Sequence, residues 1–172
     1  KNMKRGLDSN GIKKRIDLLR SANSKIAIRT SIIAGFPGET DKDFNELINF
    51  VKDVQFDRLG VFKYSEEEGT SAAIDYIDDV PKEVKQERYD ELMLLQQNIN
   101  FEKNKNRVGD IEKVIIDVSN KDSGFSLGRS YRDAPEIDNY VKINGVLNVG
   151  SFYEIKVKEA YEYDVLGEIY EK

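Results

Sequence analysis

The sequence contains no cysteine and no histidine among its 172 residues. Without cysteine it has no disulfide framework and no thiolate ligands for a metal or a cluster. Without histidine it lacks the side chain that most often serves as a general base and as an imidazole ligand. Sites built on thiolates or imidazoles are therefore excluded from this chain.

Long apolar runs are also missing. No stretch approaches the roughly 18 apolar residues that span a bilayer, and the N-terminus does not have the pattern of a signal peptide. Hydrophobic residues make up 39% and charged residues 34% of the chain, an ordinary soluble composition. We therefore expect a cytoplasmic protein. The first residues lead directly into a helix, which suggests a piece of a longer polypeptide.

The formal net charge of −5 is unevenly divided. Residues 1–106 carry 18 Lys and Arg against 19 Asp and Glu, whereas residues 107–172 carry 9 against 13, a local charge of −4. Because neutralisation of phosphates dominates nucleic-acid affinity, the acidic C-terminal half is a poor candidate for binding nucleic acid. A basic protein is a better partner for it.

The first half alternates helix and strand patterns. The predicted elements are a helix over 12–22, a strand over 26–34, a helix capped at Thr40, a strand over 58–64, and a helix from Pro81 to about Asn104. This alternation predicts parallel strands joined by right-handed crossovers. Two strands cannot form a complete sheet. We expect this half to belong to a larger α/β structure, or else to expose open edges that promote edge-to-edge self-association.

From Val108 the pattern changes to short strands separated by glycines or by Asn and Asp clusters. The five candidates are residues 114–119, 125–131, 140–143, 152–160 and 165–171. This density predicts a small five-stranded antiparallel barrel of the OB-like kind. We place the boundary at Asn104–Gly109, which separates an α/β domain over 1–106 from an all-β domain over 107–172.

The segment SIIAGFPGET, residues 31–40, joins the first strand to the second helix. Ligands of α/β folds bind where strands reach their C-terminal edge, and glycines let a ligand approach the backbone closely. The helix start offers N–H groups, and Glu39 can accept hydrogen bonds from an amine or a ribose. A tight strand-to-helix turn with a capping acid explains the same residues, and spacing alone favours this simpler interpretation.

Three segments resemble the radical S-adenosylmethionine methylthiotransferases. AIRTSIIAGFPGETDKDF (27–44) and FDRLGVFKYSEEEGT (56–70) resemble successive segments late in the barrel of that family. LGRSYRDAPEIDNYVKING (127–145) resembles the C-terminal TRAM domain of the RimO-type branch, and residues 134–138 favour this branch over the one that modifies tRNA. The motifs follow the family's order and spacing over almost all of the chain.

The resemblance implies the C-terminal part of a radical SAM barrel, of partial TIM type, followed by a TRAM β-barrel. It implies an enzyme that uses S-adenosylmethionine and two 4Fe–4S clusters to methylthiolate the β-carbon of an aspartate in a small-subunit ribosomal protein. The family binds its clusters with cysteines, one set of them in a CxxxCxxC motif, and this chain has none. We therefore expect the chain alone to be inactive, and to supply a wall of the cofactor pocket and a surface for the substrate protein.

By resemblance, the turn after the first strand lies beside the S-adenosylmethionine pocket. A buried arginine in an apolar strand, such as Arg29, needs an acid or a bound anion, although a solvent-facing position explains it equally well. Lys63 and Tyr64 end the next strand and should flank the opening of the same pocket, unless they are simply solvated there. The candidates on the cofactor side are Arg29, Gly35, Phe36, Pro37, Gly38, Glu39, Lys63 and Tyr64.

One loop of the β-domain carries the candidates on the substrate side. They are Arg129, Arg132, Asp133, Glu136 and Asp138. Loops on rigid barrels often carry recognition, and by resemblance this domain binds the substrate protein, although the pattern alone describes a polar loop with a proline-assisted turn. The acidic run 66–68 can contact a basic protein but is typical of a solvated loop. Barrel packing explains the aromatic residues of this domain better than base stacking does; these are Tyr131, Tyr140, Phe152 and Tyr153.

Two other functions stay open. A tRNA-modifying relative would bind RNA with its TRAM domain, which the charge of −4 over residues 107–172 opposes. A non-catalytic binding module would use the α/β part only as a scaffold. A CxxxCxxC motif upstream of this chain would distinguish an enzyme from such a module.

Overall fold

The computed structural model describes residues 6–171 and divides into two units, one ending at Gln96 and one beginning at Gln97. The elements of the first unit are α1 (Ser9–Ala22), β1 (Arg29–Ala34), α2 (Asp41–Val54), β2 (Arg58–Lys63), α3 (Ser71–Asp75) and the first part of α4 (Lys82–Lys105). The predicted alternation of helices and strands is confirmed. No helix within residues 6–171 is both long and apolar enough to cross a membrane.

β1 and β2 form a parallel two-stranded sheet, in which Arg29 pairs with Arg58 and Ala34 with Lys63. β1 is shorter than the strand predicted over 26–34, because its backbone pairing with β2 begins only at Arg29. Just before it, the N–H of Ile28 donates to the side chain of Asp57 at 2.9 Å. Arg29 is therefore the exposed first residue of β1 and does not lie inside a buried strand.

The two faces of this sheet differ. Ala34, Leu59 and Val61 are buried, together with apolar side chains from the surrounding helices, among them Ile16, Phe44, Ile48, Val51 and Leu92. The alternate positions Ile33 and Phe62 pair with each other on the opposite face. Phe62 is 59% exposed there. The core of this unit thus lies on one side of the sheet only.

A capping box begins α2. The Thr40 hydroxyl accepts from the N–H of Asp43 at 3.2 Å, and the Asp43 carboxylate accepts from the N–H of Thr40 at 2.9 Å. This confirms the capping pattern seen in the sequence. One helix was not predicted: α3 lies within the acidic stretch 65–80, where the Thr70 hydroxyl caps a single turn by accepting from the N–H of Ala73 at 3.3 Å.

The second unit is a closed barrel. Its strands are β3 (Ile111–Asn120), β4 (Phe125–Arg129), β5 (Val141–Asn144), β6 (Phe152–Ala160) and β7 (Val165–Ile169), arranged in the order β3-β4-β5-β7-β6. The predicted five-stranded OB-like barrel is confirmed. Four strand pairs are antiparallel, whereas β5 and β7 are parallel. β7 runs antiparallel to β6, the strand before it in the chain, and lies between β5 and β6 in the barrel. The interior is filled by Val114, Ile116, Val141, Ile143, Ile155, Val157 and Val165.

A buried ion pair fixes the segment that leads from α4 into β3. Arg107 donates to both carboxylate oxygens of Glu112, at 3.0 and 2.8 Å, and to the side-chain oxygen of Asn104 at 2.9 Å. Burial opposes the charge of Arg107, but the hydrogen bonds and charge of Glu112 outweigh it and raise its pKa. Asn104 in turn donates to the carbonyl oxygens of Tyr161 and Tyr163, at 2.9 and 3.2 Å.

We expect the chain to self-associate through the β1–β2 sheet as its concentration rises. Within the described residues these strands pair only with each other, so each has an unpaired edge. Phe62→Lys, at a position 59% exposed on the open face, should reduce association. Ile137→Lys, at a position 76% exposed in the second unit, is the matched control and should not. Sedimentation velocity over a concentration series measures the effect, and a wild-type chain that stays monomeric throughout would contradict the prediction.

Candidate functional site

The segment after β1 forms a β-turn, at which the chain changes direction sharply. The N–H of Glu39 donates to the carbonyl oxygen of Phe36 at 2.9 Å, which places Pro37 and Gly38 at the two central positions. Proline and glycine are preferred there in a type II turn because the second central residue needs a positive φ. Gly38 has a φ of +77°, and Gly35 just before the turn has a φ of +72°.

The Glu39 side chain closes this turn. Its Oε1 accepts from the N–H of Gly35 at 3.0 Å and from Nη1 of Arg88 at 2.9 Å. The Arg88 guanidinium also donates to the backbone oxygen of Glu39 at 3.1 Å and to Asp41 at 2.8 Å. The side chains of Arg88 and Glu39 are 7% and 11% exposed, whereas that of Asp41 is 95% exposed. Glu39 is therefore the principal buried partner of Arg88.

Most backbone donors of the turn bond within the protein. The N–H of Gly38 donates to Asp79 at 2.7 Å, that of Gly35 to Glu39, and those of Thr40 and Asp43 take part in the capping box. The sequence offers these N–H groups as candidate ligand contacts, beside the simpler interpretation of a tight turn with a capping acid. A ligand at this turn would instead contact side chains, or would have to displace internal hydrogen bonds.

An aromatic cluster lies behind the turn. The ring of Phe36 meets those of Tyr64 and Tyr76 edge-on, with centroids 5.3 and 5.9 Å apart. The Lys85 ammonium lies 5.1 Å from the centre of the Tyr64 ring and bonds both oxygens of Asp78, at 2.7 and 2.6 Å. Burial, with a smaller contribution from nearby acids, raises the pKa of the Tyr64 hydroxyl. Tyr64 is thus a neutral hydrogen-bonding group at physiological pH.

A cavity of about 1120 Å³ lies beside this cluster. Four of the eight candidates on the cofactor side line it: Phe36, Glu39, Lys63 and Tyr64. The other four, Arg29, Gly35, Pro37 and Gly38, are not among its lining residues. Thr30, Ser31 and Thr70 also line it, but apolar side chains predominate, among them Leu7, Ile12, Ile32, Ile33, Leu47, Phe50, Phe56 and Phe62. Lys63 is oriented by a 2.6 Å hydrogen bond to Gln86.

Part of this lining is of a kind that can contact S-adenosylmethionine, since rings can stack on an adenine and carboxylates can accept from a ribose or an ammonium group. It is not suited to an iron–sulfur cluster. The chain has no cysteine, and residues 6–171 contain no cluster of His, Cys, Asp or Glu that could bind a metal ion.

In the barrel, the predicted substrate loop is held by its own side chains. Arg129 binds Asp117 through two hydrogen bonds, at 2.6 and 2.9 Å, which raise the pKa of Arg129. Asp133 accepts from the N–H and the hydroxyl of Ser130, at 3.1 and 2.7 Å. Asp138 accepts from the N–H of Ala134 at 2.6 Å. These three candidates stabilise the loop itself.

Other residues of the loop project outwards. Glu136 is exposed and has a φ of +63°, and the neighbouring Ile137 is 76% exposed. The guanidinium of Arg132 lies 5.0 Å from the ring centre of Tyr131, which is 60% exposed. Glu136, Ile137 and Tyr131 therefore form the accessible surface of the loop, whereas the Arg132 side chain is only 21% exposed and its Nε lies 3.9 Å from a carboxylate oxygen of Glu112.

Sequence reasoning missed the two cations of α4 that contact the turn, Lys85 and Arg88. The positions of these two cations in the sequence could have indicated that they are buried. They lie three residues apart and share a helix face with the fully buried Leu92. A cation at a core position of a helix needs a buried acid, so the pattern could have indicated a buried ion pair, although not which acid takes part in it.

Gly35→Ala should destabilise the chain more than Gly38→Ala does. Both glycines have a positive φ, which costs another residue about 1–2 kcal/mol. A Cβ at Gly35 would also lie 2.3 Å from Cγ of Lys85, whereas a Cβ at Gly38 would have nothing within 4 Å. Overlap of this kind costs roughly 1–3 kcal/mol more. Urea unfolding measures both variants, and equal losses would show that Lys85 does not restrict the turn.

Stability should also depend on pH through Asp43. Hydrogen bonds from the Thr40 hydroxyl and N–H lower the pKa of Asp43 in the folded chain. The resulting stabilisation is present above the ordinary aspartate pKa of about 3.9 and is lost as the pH falls through the lowered value. Asp43→Asn should therefore lower the melting temperature at neutral pH and have less effect in acid. An Asp43→Asn deficit that is constant down to acidic pH would contradict the prediction.

Comparison with known proteins agrees with this architecture. Residues 108–169 match the family model of the TRAM domain. The chain is 44% identical over 172 residues to the ribosomal protein uS12 methylthiotransferase RimO of Clostridium acetobutylicum, covering 99% of the chain and 38% of the relative. Proteins of the same name from Thermosipho melanesiensis and Geobacter sulfurreducens are 47% and 43% identical over 90% and 98% of the chain, which covers 35% and 38% of them. The chain thus spans little more than a third of the length of these curated relatives, and over that span it is similar to ribosomal protein uS12 methylthiotransferases of the RimO type.

Proposed function

We propose that this chain is part of an enzyme that methylthiolates the β-carbon of an aspartate in the small-subunit ribosomal protein uS12. The observation that carries the proposal is the 44% identity, over 99% of the chain, to a relative with that name. In this proposal the first unit forms part of a radical SAM barrel and one wall of its cofactor pocket. The TRAM barrel binds the substrate protein.

On the cofactor side, the groups that line the cavity would hold S-adenosylmethionine. Phe36 and Tyr64 offer aromatic surfaces, and Glu39 and Lys63 offer one charge of each sign. Gly35, Pro37 and Gly38 would act indirectly by shaping the turn, and Arg29 would lie on the exposed start of β1. When bound, S-adenosylmethionine supplies the radical chemistry and the methyl group.

The two iron–sulfur clusters of such an enzyme have no ligands here, since the chain contains no cysteine. Their cysteines would lie elsewhere in the longer polypeptide. We therefore propose that this chain alone is inactive and that its contribution is to bind and orient.

On the substrate side, charge supports a basic protein partner. Residues 107–172 carry 9 Lys and Arg against 13 Asp and Glu. Arg129, Asp133 and Asp138 stabilise the loop internally, so Glu136 and Ile137 are its most accessible groups, with Arg132 and Tyr131 beside them. An acidic and an aliphatic side chain on a preformed loop suit a basic protein segment. The acidic run 66–68 would add to the attraction in a cytoplasmic enzyme.

Binding of the whole chain to purified uS12 and to bulk tRNA, across a salt series, tests this proposal. We expect uS12 to bind and tRNA to bind weakly. Glu136→Lys should weaken uS12 binding several-fold because it removes attraction and adds repulsion. Glu162→Lys, an equal charge change at another exposed position of the same barrel, is the matched control and should weaken it less.

Strong tRNA binding with a steep salt dependence would overturn the substrate assignment and indicate an RNA-modifying relative. Binding to neither partner would contradict a substrate-binding role for the TRAM barrel.

A further inference from the structure

Two cations on one face of α4 contact the turn between β1 and α2. Arg88 donates to the side chain and the backbone oxygen of Glu39, at 2.9 and 3.1 Å. The chain of Lys85 lies directly against Gly35, since a Cβ on that glycine would be 2.3 Å from Cγ of Lys85. The two residues are 6% and 4% exposed. One helix face therefore contacts both ends of the turn.

Lys85 also contacts the end of β2. Its ammonium lies 5.1 Å from the centre of the Tyr64 ring and 3.4 Å from the Tyr64 carbonyl oxygen. Its charge is balanced by Asp78, with Nζ to carboxylate oxygen distances of 2.7 and 2.6 Å. Lys85 is thus positioned to couple the turn after β1 to the residue after β2.

Neither cation reaches the cavity. Within the described residues its lining includes Phe36, Glu39 and Tyr64 but not Lys85 or Arg88. Arg88 contacts Glu39 and Lys85 contacts Tyr64, both of which line the cavity. Any effect of the two cations on a bound ligand must therefore pass through these lining residues.

Arg88 is the stronger of the two constraints. Removing it would leave the Glu39 carboxylate, with a side chain only 11% exposed, without its buried counter-charge. A buried charge without a partner is unfavourable, so Glu39 would rotate towards solvent. This rotation weakens its hydrogen bond from the N–H of Gly35, and the turn would lose its closing contact.

We propose that Arg88, supported by Lys85, is a positioning residue that holds Glu39 and the Gly35 turn in the conformation that receives the cofactor. The inference rests on the proposed function, because it takes S-adenosylmethionine as the ligand of the cavity. It adds a role for the face of α4 that carries Lys85 and Arg88, neither of which lines the cavity.

Two measurements test this inference. The first is amide hydrogen exchange of this chain, in which Arg88→Met should accelerate exchange at Gly35, whose N–H bonds to Glu39. The second is the dissociation constant of S-adenosylmethionine for the full-length enzyme. Arg88→Met should weaken binding about tenfold, and Arg88→Lys should restore part of the loss.

Arg20→Met is the matched control. Arg20 donates to the carbonyl oxygens of Val54 and Gln55, at 2.6 and 2.9 Å, and so stabilises the end of α2 far along the chain from the turn. Its loss should lower stability without changing cofactor affinity. A double variant of Arg88→Met with Glu39→Gln should bind like Glu39→Gln alone, because both act through the same carboxylate.

Equal effects of Arg88→Met and Arg20→Met on affinity would show a purely structural role and overturn the inference. Unchanged exchange at Gly35 in Arg88→Met would overturn it as well. A wild-type full-length enzyme that does not bind S-adenosylmethionine would instead overturn the proposed function, and this single control distinguishes the two failures.

Discussion

The turn between β1 and α2 in the first unit depends on the hydrogen bonds that one carboxylate, that of Glu39, accepts. Oε1 of Glu39 accepts from Gly35 and from Arg88, and so joins the end of β1, the start of α2 and the face of α4 at one point. The pair is buried, which makes it sensitive to the loss of either partner: isolating one charge costs about 3–5 kcal/mol even where the intact pair contributes little. The geometry of the turn, and with it the placement of Phe36 beside the cavity, therefore depends on α4 being folded against it.

The second unit repeats this arrangement with different residues. Arg107 and Glu112, with side chains 7% and 6% exposed, fix the segment between α4 and β3, and Asn104 connects the same helix end to the loop that follows β6. In each unit, then, a buried arginine paired with a glutamate stabilises a segment next to α4.

Backbone patterns were predictable from the sequence, but side-chain partners were not. The alternation of helices and strands, the capping box at Thr40 and the five barrel strands all follow from local periodicity and cap chemistry, which act within a few residues. The parallel pairing of β5 with β7, the exposed position of Arg29 and the roles of Lys85 and Arg88 depend on contacts between distant parts of the chain. Local signals carry little information about such contacts. The helix α3 was missed for another reason, since a single capped turn in an acidic stretch has too few residues to show a period.

The candidate residues of both surfaces fall into two groups, those that bond within a loop and those that remain accessible. On both predicted surfaces, several polar side chains chosen for their chemistry bond within the protein: Glu39 closes its turn, while Asp133 and Asp138 close theirs. A carboxylate so engaged has less capacity left for a ligand, but it lowers the entropy lost on binding by fixing the loop beforehand. In the proposed function, direct contacts would then fall to neighbours that the loops leave accessible, Phe36 and Tyr64 in the first unit and Glu136 and Ile137 in the second. Substitution of the internal acids should therefore act through loop order, and substitution of these neighbours through contact with the ligand.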